Sequence, residues 1–176
     1  MSSGYIDYFK LFKVFDLKKL DKHGDVKRTQ DKQLGRKVLL VDGQVSTQNY
    51  ITFETTTIPN LSFQQRYLYI LGYAEPSKNF CFDLNIQLNS KAFKTLFSTF
   101  YKSVKVSQQK VVQLPLELKS SKWTVMVVDL YGLCEKHFSN EVRMSFRLES
   151  VTVRANSKVR GIYQSDSLFD PFTMPK

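Results

Sequence analysis

The chain has 176 residues, 42% of them hydrophobic, which suits one folded domain with a core of its own. No apolar run approaches the roughly 18 residues of a membrane span, and the opening MSSGYIDYFKLFKVFDLKKL has neither a continuous apolar stretch nor a small-residue cleavage site, so no secretory leader is expected. Lysine and arginine number 26 against 16 acids, a formal charge of +10 that favours an acidic partner: nucleic acid, an anionic membrane or an acidic protein surface.

In chain order the dominant pattern has period two, the signature of strands. YFKLFKVFDLKKLDK contains a candidate helical turn or two. KVLLVDGQV is a short apolar run closed by Asp42-Gly43, a turn signal. NYITFETTT is rich in β-branched and aromatic residues. RYLYILGYA is almost continuously apolar and predicts a central strand covered on both faces. Glu75-Pro76-Ser77-Lys78 reads as a turn. NFCFDLNIQL alternates Phe80, Phe82, Leu84, Ile86 and Leu88 against polar partners and is the clearest half-buried strand.

AFKTLFSTFY, KVVQLPLELK and KWTVMVVDL follow, and Pro115 makes the middle one an edge strand or breaks it. DLYGLCEKHF is a helix candidate with Asp129 as its N-cap. VRMSFRLESVTVRAN and VRGIYQSD complete nine or ten strands. Alternation places Leu68, Ile70, Phe82, Leu84, Val125 and Val127 in the core, and Phe93, Phe97 and Phe100 as well. Short strands at this spacing predict an all-β, antiparallel two-sheet jelly-roll sandwich with one or two short helices. The expected limits are residues 1–166 for the sandwich and 167–176 for a tail or the start of a linker.

Positive charge gathers in two places. Residues 91–122 carry Lys91, Lys94, Lys102, Lys105, Lys110, Lys119 and Lys122 against one acid, Glu117. Such lysines also protect a strand edge from aggregation. The stretch VTVRANSKVRGIYQSD, residues 151–166, carries Arg154, Lys158 and Arg160. It reads as two strands joined by a turn at Asn156, Ser157 and Lys158. Val151 and Val153 share one face, while the strand after the turn is either covered on both faces or bulged near Gly161. Arg154 and Arg160 have two readings: internal pairing with Glu149 and Asp166, or a basic contact edge shared with the lysines of 91–105.

Catalytic signatures are not found. His23 and His137 do not make a metal cluster, and no Cys-x-x-Cys, nucleophile elbow or phosphate-binding glycine loop occurs. His23 suits an exposed loop, and His137 suits the end of a helix as a cation. Asp83 and Asp129 are the only strand carboxylates worth weighing for glycoside chemistry. Cys81 and Cys134 fit buried free thiols of a reducing compartment, and Trp123, at a strand start, fits the core better than a sugar platform.

Five stretches carry a resemblance: GDVKRTQDK (24–32), GQVSTQNYITF (43–53), RYLYILGYAEPSKNFCFDLNI (66–86), KWTVMVVDL (122–130) and SVTVRANSKVRGIYQSD (150–166). In that order, over nearly the whole domain, they resemble the ciliary inner-junction family, whose type member is cilia- and flagella-associated protein twenty. The match leans toward the branch in which such a domain precedes the WD repeats of a large centriolar protein; no WD repeat is present in this chain. The resemblance implies a non-catalytic jelly roll that binds tubulin and microtubules. It would lie in the inner wall or at the junction between tubules of centrioles, basal bodies or ciliary axonemes, beside other scaffold proteins of the cytoskeleton. It implies no cofactor, no metal, no small-molecule substrate and no membrane. The candidate tubulin contacts are Lys91, Lys94, Lys102, Lys105, Arg154, Lys158 and Arg160. The competing readings are a carbohydrate-binding jelly roll, which needs aromatics aligned on one sheet face, and a nucleic-acid binder, which needs a basic groove with stacked aromatics.

Overall fold

Alternating apolar residues settle into strands because each strand can then bury one face while its backbone groups pair sideways. A computed structural model describes residues 20–54, 65–89, 91–108, 110–119, 121–138 and 146–169. These form strands β1 (Asp21–His23), β2 (Asp25–Asp31), β3 (Arg36–Asp42), β4 (Tyr50–Glu54), β5 (Tyr67–Ala74) and β6 (Cys81–Leu88). They continue with β7 (Lys91–Ser98), β8 (Lys105–Val106), β9 (Val111–Pro115), β10 (Trp123–Asp129), helix α1 (Leu130–His137), β11 (Phe146–Arg154) and β12 (Ser157–Ser165).

The strands make two sheets, ordered β1-β4-β11-β6-β7-β9-β8 and β10-β5-β12-β3-β2. Every connection among β3, β4, β5 and β6, and again among β10, β11 and β12, crosses from one sheet to the other. This is the jelly-roll sandwich the alternation predicts. Among the described strands it departs from a wholly antiparallel design at one place, where β9 runs parallel to β7 and ends at Pro115. Proline has no amide donor with which to extend a ladder.

The core lies between the sheets. Phe82, Leu84, Ile86 and Leu88 of β6 face it, opposite Leu68 and Ile70 of β5 in the other sheet, and all are buried. Gly72 of β5 is needed for contact, because a Cβ there would stand 2.7 Å from both Met126 Cε and Phe80 Cζ. β5 is covered on both faces: Tyr69, on the outer side, is also buried. The Tyr69 hydroxyl donates to the Ser167 carbonyl at 3.0 Å and accepts from the Phe169 amide at 2.9 Å. The first residues of the expected tail therefore lie over the sheet, and residues 170–176 fall outside the described ones.

Two expectations about register and pairing are corrected. In β10 it is Met126 and Val128 that face the core, opposite Ile70 and Leu68, while Val125 and Val127 point outward. Val125 to Val128 are apolar on both sides, so alternation does not select a face, and among the described residues β10 has only one neighbour, at the sheet edge. Residues 151–166 are not a hairpin. β11 pairs with β4 and β6, whereas β12 pairs with β3 and β5 in the other sheet. The chain crosses at Ala155 and Asn156, and Ser157 is already buried in β12, its hydroxyl donating to the Arg154 carbonyl at 2.6 Å. Of the two readings of the second strand, the bulge near Gly161 is present, between Val159 and Gly161 in the pairing with β5.

Helix α1 starts where expected. The Gly132 amide donates to Asp129 Oδ1 at 3.0 Å, and the same carboxylate holds Arg66 through two contacts at 3.0 and 2.7 Å. The Arg66 hydrogen bond, chiefly, keeps the Asp129 carboxyl below its usual range despite burial. Leu130, Leu133 and Cys134 turn to the core. Cys81 and Cys134 are buried and unbridged, and burial raises each thiol to about 11. The helical turns expected over residues 8–22 lie mostly outside the described residues; within them, Asp21–His23 is strand, so His23 is exposed but not on a loop. Burial, with Lys136 beside it, moves His137 below its ordinary value.

Candidate interaction surfaces

The outer face of the seven-stranded sheet carries a partly buried ionic cluster. Thr152 and Arg154 of β11 point outward because Val151 and Val153 point in. Their neighbours across β6 and β7 include Asp83 and Lys94. Asp83 is only 3% exposed, yet it is well partnered. Arg154 Nε donates to it at 3.0 Å, its Nη2 makes a second, shorter contact, and Lys94 Nζ lies 3.4 Å away. The Arg154 guanidinium also sits 5.5 Å above the Tyr50 ring. Around this cluster Thr52 and Thr152 share a hydrogen bond of 3.0 Å, and Asn85 Nδ2 donates to Ser150 Oγ at 2.7 Å. Arg154 therefore pairs internally, but with Asp83 and not with Glu149 or Asp166. Glu149 holds Arg147 at 3.1 Å, and Asp166 accepts the Arg66 amide at 3.3 Å.

The edge of this sheet mixes charge with apolar surface. Lys91, Lys102 and Lys105 are exposed, and Lys110 stands 5.2 Å over the Phe93 ring. Phe93 and Phe97 are buried as expected, but Phe100 is 60% exposed. The reason is local: β7 ends at Ser98, whose hydroxyl accepts the Phe100 amide at 3.1 Å, and the chain turns before Phe100 can follow the strand inward.

The outer face of the five-stranded sheet places Trp123, Tyr73, Lys158 and Leu40 side by side on β10, β5, β12 and β3. Lys158 Nζ lies 4.5 Å over the Tyr73 ring, 3.2 Å from Glu75 and 3.6 Å from Asp31. Trp123 is partly exposed rather than core, because its indole Nε1 donates to Asp31 Oδ1 at 3.0 Å and its ring sits 5.6 Å from Tyr73. A polar N–H at the ring edge makes such a half-buried site the better place for a tryptophan. Asp31 also accepts the amides of Gln33 and Leu34, each at 3.0 Å, and so fixes the β2–β3 turn.

Asp31 gives this face a pH dependence. Burial pushes its carboxyl up, but the Leu34, Trp123 and Gln33 hydrogen bonds and the Lys158 charge outweigh that and hold it below the usual value. A depressed folded-state pKa contributes stability that is complete above the unfolded value near 3.9 and lost as pH falls through the folded value. Asp31→Asn is therefore expected to be less stable than the parent at neutral pH, with the gap narrowing below about pH 4. Denaturant titrations across that range check it, and an equal gap throughout would contradict it.

The seven candidate contacts thus divide. Lys91, Lys94, Lys102, Lys105 and Arg154 belong to the seven-stranded sheet and its edge, while Lys158 and Arg160 belong to the five-stranded sheet. They do not form one continuous edge. Arg160, at the bulge, stands instead with Arg28, Arg36 and Lys37 around a cleft that the sequence reading did not single out. The signal for it was KRTQDKQLGRK, in which cations flank a glycine-containing turn. Among the described residues no three or more His, Cys, Asp or Glu gather as a metal site would, and no helix is long and apolar enough to cross a membrane.

Comparison with known proteins adds to this geometry. A family model described as the CFA20 domain matches residues 1–176. WD repeat-containing protein 90 of Mus musculus is 29% identical over 186 residues, covering 95% of this chain and 10% of that protein. The Homo sapiens protein of the same name is 29% identical over 182 residues, with the same coverage. Centriole proteome protein 16 of Chlamydomonas reinhardtii is 25% identical over 173 residues, covering 97% of this chain and 8% of that protein. The chain spans about a tenth of the length of these relatives.

Proposed function

The chain belongs to the CFA20-domain family, and from that premise we propose that it is a non-catalytic structural module that binds tubulin in centrioles, basal bodies or ciliary axonemes. Its place there is the microtubule inner wall or the junction between tubules, beside neighbouring scaffold proteins. The observation that carries the reading is the family match over the whole chain, together with a relative named as a centriole proteome protein.

The physics supports it. A net charge of +10 draws the domain to the acidic surface of a microtubule. Two sheets closed over one core give a stiff body, as a wall component requires. The competing readings find less support. Phe93 and Phe97 are buried and offer no stacking platform for bases, and Tyr73 and Trp123 are engaged by Lys158 and Asp31 rather than open to a sugar.

Co-sedimentation with microtubules tests the reading. The domain is expected to pellet with them at low salt and progressively less as salt rises, since screening shortens the range of surface charge to about 8–10 Å at physiological ionic strength. Absence from the pellet at low salt, or stronger retention on single-stranded DNA at matched salt, would overturn it.

A further inference from the structure

We propose that the strip from Phe100 to Val106, at the end of the seven-stranded sheet, is the surface with which the domain docks on tubulin, its apolar side chains as anchors and its lysines as the rim. The inference rests on the tubulin reading above and names the surface that reading leaves open. Six large hydrophobic residues are exposed among the described ones, and three of them fall in this one short strip: Phe100 at 60%, Val104 at 47% and Val106 at 59%. Scattered singly, such residues need no explanation; gathered in one stretch they mark a contact surface. Lys102 and Lys105 are interleaved with them and are also exposed.

The fold builds the strip. β9 lies between β7 and β8 in the sheet, so the chain leaving β7 passes around the end of β9 to reach β8. Both ends of the passage are tied down. The Tyr101 amide donates to the Ser98 carbonyl at 3.3 Å, next to the bond from the Phe100 amide to the Ser98 hydroxyl, and the Ser107 amide donates to the Val111 carbonyl at 2.9 Å. Val112 of β9 is in register with Thr95 of β7, on the face of Phe93 and Phe97, and is fully buried. Val106 stands opposite Val112 in β8 and so on the same face, yet it is open to solvent. The inner apolar face of the sheet thus runs past its covered part to β8. Protection of an edge accounts for lysines but not for an exposed phenylalanine among them, and β8, two residues long, offers little edge to protect. Glu117 is the one acid from 91 to 122, so the partner surface that fits is an apolar patch rimmed by carboxylates. An aromatic anchor inside a charged rim is how protein contacts concentrate their energy. Cations on the outer faces are committed within the domain, Arg154 and Lys94 to Asp83 and Lys158 to Glu75 and Asp31.

The test is co-sedimentation of the full chain with microtubules over a salt series. Phe100→Ser/Val106→Ser removes two anchors, Lys102→Gln/Lys105→Gln removes the rim charge, and Val127→Ser/Leu168→Ser removes two exposed apolar residues from the five-stranded sheet's side as a control. Circular dichroism melting confirms that each is folded. The anchor variant is expected to bind about tenfold or more weakly at every salt concentration, with the salt slope kept. The lysine variant is expected to lose affinity at low salt and to flatten the slope, and the control to stay within about twofold of the parent. A parent chain that stays in the supernatant at low salt would overturn the tubulin reading and this surface with it. A parent that pellets while the anchor variant binds as well as the control, or a lysine variant with an unchanged salt slope, would overturn the surface alone. Stronger retention of the parent on phosphatidylserine vesicles than on microtubules at matched salt would overturn it in favour of a membrane contact.

Discussion

Replacing Phe82 with alanine is expected to cost about 3–5 kcal/mol of folding stability, the range for a large aromatic removed from a packed core. The ring is fully buried. It stacks on Phe97 at 4.6 Å with 11° between planes and meets Phe80 edge-on at 6.5 Å. Its strand is flanked on both sides, by β11 and β7, so the backbone has little freedom to collapse into the space left behind. Val127→Ala is the internal control. That side chain is 36% exposed on the outer side of β10, so its loss is expected to stay below about 1 kcal/mol. Urea unfolding with unchanged m-values measures both. A Phe82→Ala loss below about 1 kcal/mol would show that β6 does not face the core.

The second large effect is expected at Asp83. Asp83→Ala would leave Arg154, whose side chain is only 19% exposed, without its carboxylate, and would leave Lys94 beside it. Stranding a buried charge costs about 3–5 kcal/mol, and the lower end applies here because Lys94 remains 40% exposed to water. The double variant Asp83→Ala/Arg154→Met removes both charges and is expected to recover part of the loss, since well-packed apolar groups often replace a buried ion pair at little cost. A single-variant loss below about 1 kcal/mol, as for a surface pair, would contradict this account of the cluster.

Much of the fold was legible because it depends on local alternation. β6 announces its buried face through Phe82, Leu84, Ile86 and Leu88, and Asp129 announces α1 because a cap bonds within its own turn. Which sheet each strand joins is a long-range matter. β11 and β12 carry the composition of a hairpin, but the fold sends these two strands to opposite sheets, and nothing within residues 151–166 encodes that. In β10 the run Val125 to Val128 satisfies either face, so only packing against β5 decides.

The site was legible in part for the same reason. The excess of cations is compositional and visible at once. The partners that occupy Arg154 and Lys158 are not, because Asp83 lies 71 residues from Arg154 and Asp31 more than a hundred from Lys158. Arg28, Arg36 and Lys37 lie within one basic stretch, but Arg160 joins them only through the fold, from β12, so the cleft was not legible as a unit.

The central claim, a structural module fixed on tubulin, is tested most directly by electron cryomicroscopy of microtubules incubated with the domain at low salt. The account predicts density for the sandwich at a regular position on the tubulin lattice, with a basic surface turned toward it. Bare microtubules, or density scattered without register to the lattice, would contradict it.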